Sequence, residues 1–387
     1  MSAIRPFIED DIPQVARLHR RVWPGNLDGL DSFHDYFKHV FLENPASDGS
    51  LPSLVSREDD GRIVGFIGIV PRRLAIDVRH FQAAVSSQFI VDPACRHVGL
   101  VALRLAKAFL SGPQDLSIAD EANDVSRRIW EGLGGTTALL HSLYWTRPLR
   151  PTRFALSFLR ERPAFALLAT AGKPLATLAD SLVARVPGSP FRLSEPFVST
   201  DDLCARTVLA YGSEFCGAQS LRVEYDHPTL EWLLEQAARR NGGRLLKAAI
   251  RNGPRILGWY IGTIDAESIA HVAQLAATPA SIDEVLDHLF YRAWQQGALA
   301  VTGRLDPRFI QALSDKYCVF HRRGPWVLVK AKEPELLRSF EAGHAWFSPL
   351  DGEWSLRFQS SVTNHESPAT SRQTPSQQPS SLIRRML

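Results

Sequence analysis

Cysteine is scarce in these 387 residues: four, at positions 95, 204, 216 and 318, with no close C-x-x-C pair. Such spacing offers neither a disulfide framework nor a thiolate metal site, and it fits a reducing, cytoplasmic compartment. Charge of one sign is also short, because 44 Lys and Arg face 41 Asp and Glu and leave a net +3. That is too little for a dedicated phosphate-backbone binder, so no nucleic acid is expected. No apolar run is long enough to span a bilayer. The best stretch, 154–171, is broken by Arg160, Glu161, Arg162 and Pro163, and no cationic, apolar leader is read before the first patterned segment. Missing too are G-x-x-x-x-G-K-[ST], H-E-x-x-H and G-x-S-x-G, which excludes the usual nucleotide loop, zinc helix and nucleophile elbow. The twelve histidines are scattered, so no metal is expected.

What is present describes an ordinary globular chain, 45% hydrophobic and 22% charged. At about 150 residues per domain its length suggests two domains. Ile4–Phe7 reads as a strand and 12–20 as an amphipathic helix behind an acidic start; 35–42 is a second short helix. Two hairpins follow, 54–57 with 63–70 around Asp60-Gly61, then 74–78 with 83–91. A helix over 99–110, a strand at 115–119, a helix at 126–133 stopped by Gly134-Gly135, and an extended stretch at 136–145 complete a unit closing near residue 147. The second half repeats the mixture: helices at 229–240, 282–295 and 307–314, strands at 245–250, 255–264 and 326–330. The fold class is therefore α+β, a mixed sheet flanked by helices in each half.

Between the halves, residues 146–195 hold eight Lys or Arg against Glu161, Asp180 and Glu195, and are divided by prolines. Three readings stay open there: a partly helical connector with a solvated basic face, weak peripheral contact with an anionic membrane, or the rim of an anionic-substrate site. After Phe358, Ser, Thr, Gln and Pro dominate, and 359–387 is expected to be a flexible tail.

The segment with chemistry in it is FIVDPACRHVGLVALRLAKAF, 89–109. A strand ending at Asp92-Pro93 delivers Arg96, His97, Val98 and Gly99 to the start of a helix. Free backbone N–H groups there, aided by the helix dipole, suit a diphosphate; Gly99 permits close approach and Arg96 adds a charge.

With the upstream hairpin and the downstream NDVSRRIWEGLGG, 123–135, residues 4–147 resemble the cofactor-binding unit of the GNAT superfamily of acyl-CoA N-acyltransferases. The family's Q/R-x-x-G-x-G/A loop falls on Arg96, Gly99 and Val101, and its N-x-x-S/A-x-x-x-Y-x-x-x-G pattern on Asn123, Ser126, Trp130 and Gly134. The resemblance implies tandem GNAT-like domains: 1–147 binding acetyl-CoA or another acyl-CoA, a basic connector at 148–200, and a divergent second domain at 201–358. It implies that strand 83–91 splays from the next strand, that backbone N–H groups at Phe89, Ile90 and Val91 hold the thioester, that His97, Val98, Leu100 and Val101 join Arg96 and Gly99 around the diphosphate, and that Asn123, Ser126 and Trp130 also belong to the cofactor-binding set. Two positions depart from the family pattern. Trp130 stands where a proton-donating Tyr is usual, and AVSSQFIVD offers no Glu, leaving Asp92, His141 and Tyr144 as candidate acid–base groups. Each has a structural alternative: a loop cap for Asp92, a hydrogen-bonded strand-edge residue for His141 and Tyr144, the last two on opposite faces of one strand.

In the second half the corresponding loop, ATPASIDE, lacks R-x-x-G and puts Asp283 and Glu284 at the helix start, so no CoA is expected there. Tryptophans 259, 294, 326, 346 and 354 are core, or a carbohydrate-stacking or acyl-binding surface; His321, Arg322 and Arg323 are an anion contact or a solvated turn. The implied function is transfer of an acyl group to a primary amine of a small molecule, with an amino sugar as one acceptor. The alternatives are a CoA-binding sensor or scaffold without catalysis and an aminoacyl-tRNA-dependent aminoacyl transferase.

Overall fold

The computed structural model describes residues 3–23, 29–160, 170–216, 221–239 and 243–358; the expected tail at 359–387 lies outside them. The first sheet places β1 (Ala3–Pro6), β2 (Leu54–Arg57), β3 (Ile63–Ile76), β4 (Arg79–Val91) and β5 (Leu116–Ala122) side by side, with β6 (Thr136–Thr137) at its far edge. The second sheet contains β7 (Tyr144–Pro148), β8 (Ser199–Asp201), β10 (Arg244–Asn252), β11 (Arg255–Ile264), β12 (Ile269–Ala277), β13 (Ala300–Arg304) and β14 (Val319–His321), ordered β14-β7-β13-β12-β11-β10-β8. Completing the first sheet, β9 (Leu221–Glu224) pairs with the end of β3, β15 (Trp326–Ala331) lies between β5 and β6, and β16 (Ala345–Trp346) pairs with β9.

The helices are α1 (Ile12–Val22), α2 (Leu30–Phe41), α3 (Val98–Leu110), α4 (Asp124–Gly132), α5 (Pro151–Arg160), α6 (Lys173–Val183), α7 (Ala205–Cys216), α8 (His227–Ala238), α9 (Ile282–Gln295), α10 (Ile310–Asp315), α11 (Pro334–Glu341) and α12 (Glu353–Leu356).

The chain division at residue 147 does not match the division between sheets. Strand β7, expected to close the first sheet, pairs with β13 and β14 of the second, and the place beside β5 is taken by β15 from near the C-terminus. The first and second halves thus each complete a sheet begun by the other.

Two hairpins were expected between 54 and 91, yet β3 is one strand running through Pro71. Strand β2 covers β3 only as far as Ile67, and pairing with β9 starts at Arg73, so Pro71 falls in a gap between partners on that side. A residue without an N–H is tolerated there. The Asp60-Gly61 turn forms as read, with Gly61 at φ +89° and its N–H on the Glu58 carbonyl at 3.0 Å.

Layering follows from side-chain alternation. One face of the first sheet packs on α3 and α4 through Val101, Leu105, Phe109 and Trp130. The opposite face, with Phe66, Val70 and Val85, shares a single apolar core with α1, α2 and one face of the second sheet, through Trp259, Ile261 and Ala273. The next residue along β11, Tyr260, faces α9 on the far side. Strands buried on both faces read as continuous apolar runs, as β11 does.

Candidate functional site

Strands β4 and β5 run parallel but keep register only at Ala83↔Leu116, Ala84↔Ser117 and Val85↔Ile118. Beyond Val85 they part, giving the wedge that the resemblance implies. At the wedge β4 carries a bulge. Register with β3 jumps from Phe66↔Ile90 to Gly68↔Ser87, so Gln88 and Phe89 both stand opposite Ile67. Gln88 adopts φ +53°, a left-handed conformation costly for a residue with a side chain. Its side-chain Oε1 is fixed 3.0 Å from Nε2 of His19, a buried ring whose pKa is lowered to about 4 by desolvation. Phe89 and Val91 face the α3 side and Ile90 the shared core.

Helix α3 begins beside the wedge. Arg96, His97, Val98, Gly99 and Leu100 are all exposed, His97 makes no side-chain cap, and a Cβ at Gly99 would meet nothing within 4 Å. The first N–H groups of the helix are thus presented on an open surface next to an arginine, which fits a diphosphate. Val101 turns inward instead. The position ordinarily small is accommodated because Gly65 on β3 has no side chain: a Cβ there would lie 3.1 Å from Val101 Cγ1 and 2.6 Å from Leu105 Cδ1.

Asp92 is fully buried and is held by Arg21, by Arg62 at 3.4 Å and by the Ala94 N–H at 2.9 Å. This is the loop-bracing arrangement. Asn123 caps α4 by accepting the Ser126 N–H at 2.9 Å, and Gly134 stops the helix at φ +82°. Trp130, expected in the cofactor-binding set, is instead a core residue, buried against Phe109 with ring centroids 5.7 Å apart.

His141 lies in a short 3-10 turn, Leu140–Ser142, rather than on a strand with Tyr144. Its Nε2 meets the Ala345 carbonyl at 2.9 Å, and it lines a cavity of about 50 Å³ in the second sheet. Tyr144 sits where the sheets join, in the field of Arg304, Glu121 and Asp120, with its ring parallel to His321. Burial and the two carboxylates raise its pKa.

The residue that sequence reasoning missed is Glu353. The chain from His344 to Phe358 forms a strap across both sheets. Its Leu350 N–H bonds Ala273 of β12 at 3.2 Å; Tyr225 and Ser348 donate to the Asp351 carboxylate, and the Arg72 guanidinium donates to its carbonyl at 3.0 Å. Gly352 then passes so close to Asp120 that a Cβ would lie 2.0 Å from its Oδ2. Only glycine fits. The next residue, Glu353, donates its N–H to Asp120 Oδ1 at 2.8 Å and accepts the Gln88 N–H at 3.1 Å and the Ser87 hydroxyl at 3.3 Å through Oε1. The strap ends with Arg357 paired to Glu121 and Phe358 stacked on Phe33 at 4.2 Å.

Glu353 therefore sits in the wedge, on the face opposite α3 and α4. Burial pushes its carboxyl up to about 7, Glu121 and Asp120 push the same way, and Arg357 opposes them. A buried carboxylate poised near neutral pH, bonded to the bulged strand, is suited to accept a proton. The signal available in the sequence was composition: HAWFSPLDGEWSLRF stays rich in large apolar residues until the polar tail begins.

In the second sheet β12 and β13 also part, after Val272↔Gly303, but Trp346 and Phe347 of the strap line that opening. Asp283 and Glu284 occupy the first turn of α9. Among the tryptophans, Trp259 and Trp346 are buried, while Trp326 lies beneath Arg127 and Arg322. His321 bonds Thr146 at 2.9 Å at the end of β14, while Arg322 and Arg323 are exposed in the turn that follows.

No family model and no curated protein matches this sequence. Solved structures do. A GCN5-related N-acetyltransferase from Anabaena variabilis superposes with TM-score 0.56 at 11% identity, covering 86% of this chain and 74% of that one. A conserved Enterococcus faecalis protein described as a probable N-acyltransferase gives 0.56 at 10% identity, covering 88% and 74%. A GCN5-related N-acetyltransferase from Kribbella flavida gives 0.52 at 14%, covering 86% and 71%. With the wedge between β4 and β5, the bulge and the open start of α3, these likenesses show that the chain has the fold of the GCN5-related N-acetyltransferases.

Proposed function

We propose that this protein transfers an acetyl or longer acyl group from acyl-CoA to a primary amine of a small molecule. The observation that carries the reading is Glu353, a proton acceptor set in the wedge where a thioester would lie. Arg96 and the N–H groups at Val98, Gly99 and Leu100 would hold the diphosphate, and the edge of β4 from Phe89 to Val91 the pantetheine arm and thioester carbonyl. Acyl-CoA supplies the activated carbonyl and a stable thiolate leaving group. Glu353 accepts a proton from the attacking amine, so that the lone pair is free to form the new C–N bond as the C–S bond breaks. Tyr144, kept protonated by its surroundings, is the residue of this cluster suited to return a proton.

The direct test is CoA release with a panel of primary amines, amino sugars included. A folded protein that binds acetyl-CoA by calorimetry yet stays at background on every amine would instead be a CoA-binding sensor. Replacing Arg96 by Ala and Gly99 by Trp should weaken CoA binding about tenfold or more, because a charge-assisted bond is lost and the approach is filled. Unchanged affinity in the folded double variant would reject the diphosphate assignment. Tyr144→Phe should lower turnover while leaving acyl-CoA affinity intact; equal turnover across the pH range would remove the tyrosine from the mechanism.

A further inference from the structure

Helix α6 wears its apolar side outward. Leu175, Leu178 and Leu182, at helical spacing, are 72%, 59% and 55% exposed, and Val186 just beyond is 54% exposed. The inward side carries Ala176 and Asp180, the latter accepting the Thr152 and Arg153 N–H groups at 2.8 and 3.2 Å at the start of α5. Phe158 and Leu159 of α5 are also exposed. A leucine stripe facing water is unfavourable in isolation and marks a surface that meets something apolar.

Charge selects the occupant. Among the described residues from Pro151 to Arg192, Asp180 is the sole acid, and it is turned inward; Lys173, Arg185 and Arg192 are exposed. A second copy docking stripe to stripe about a twofold axis would bring these cations together. An anionic surface would neutralise them while the leucines enter its apolar layer. Among the described residues no helix is long and apolar enough to cross a membrane. We infer that the outer face of α6, with its basic neighbours, is a peripheral docking surface for anionic lipid bilayers.

The test is co-sedimentation of the full chain with vesicles of phosphatidylcholine alone or with about one third phosphatidylglycerol. Wild-type protein should partition to the anionic vesicles, less so as salt rises. Leu178→Asp with Leu182→Asp should cut that partition about tenfold or more, and Lys173→Glu with Arg185→Glu should remove its dependence on anionic lipid. An unchanged circular-dichroism spectrum and melting temperature in each variant show that it is folded, independently of the transferase reading. Absence of vesicle binding, or equal partition of wild type and the leucine variant, overturns the proposal. So does a wild-type dimer that the leucine variant abolishes while vesicle binding persists, since a second copy would then cover the face.

Discussion

Glu353→Gln should lower the acyl-transfer rate about 100-fold or more while leaving acyl-CoA affinity nearly unchanged, the size expected when a general base is removed. The amide retains an acceptor for the Gln88 N–H but cannot take a proton. In wild type the rate should rise with pH through about 7, as the carboxyl ionises, and that limb should vanish in the variant. Stability gives a second readout with a definite sign. The folded pKa is raised above the ordinary value of 4.5, so the folded protein binds this proton more tightly than the unfolded chain. The contribution is fully present below about pH 4.5 and is lost as pH rises through about 7. Glu353→Gln should therefore gain stability relative to wild type between pH 5 and pH 8, by about 1–3 kcal/mol in chemical denaturation. A full rate with an unaltered pH profile would eliminate Glu353 as the base.

The second large effect is expected at Asp120. Its carboxylate holds Arg304 at 2.9 Å, both side chains at most 4% exposed, and Nε and Nη1 of the arginine make no hydrogen bond. The Asp120 and Glu121 carboxylates keep the guanidinium charged against the effect of its burial. Asp120→Leu strands that charge between the sheets and releases the Glu353 N–H, so a loss of about 3–5 kcal/mol is expected. Adding Arg304→Met should recover a large part of it, because removing both charges abolishes the desolvation cost that one alone cannot offset. A single variant within about 1 kcal/mol of wild type in urea unfolding would show that the pair is not an interior brace.

How much of this was legible follows from the range of each cause. The start of α3, the Asp60-Gly61 turn and the Gly134 stop after α4 are local: each is set by residues within a few positions, and each appears where the pattern placed it. The wedge was reached through resemblance rather than periodicity. Glu353 was out of reach because its partners, Ser87 and Gln88, lie over 260 positions away on a strand with no acid of its own. For the same reason Tyr144 was assigned to the wrong sheet, since β7 reads as an ordinary strand and nothing nearby names its partner. Asp92 was readable in both its roles, and the arginines that occupy it, Arg21 and Arg62, are distant too.

The traded strands carry a consequence for how the chain assembles. A ribosome that has released residues 1–147 has not yet made β15, and the first sheet has a vacancy beside β5 until Ala331 is out. Each half should therefore need the other's strand to mature, and neither should survive proteolysis as a working unit. Melting should be one event, with both sheets lost together.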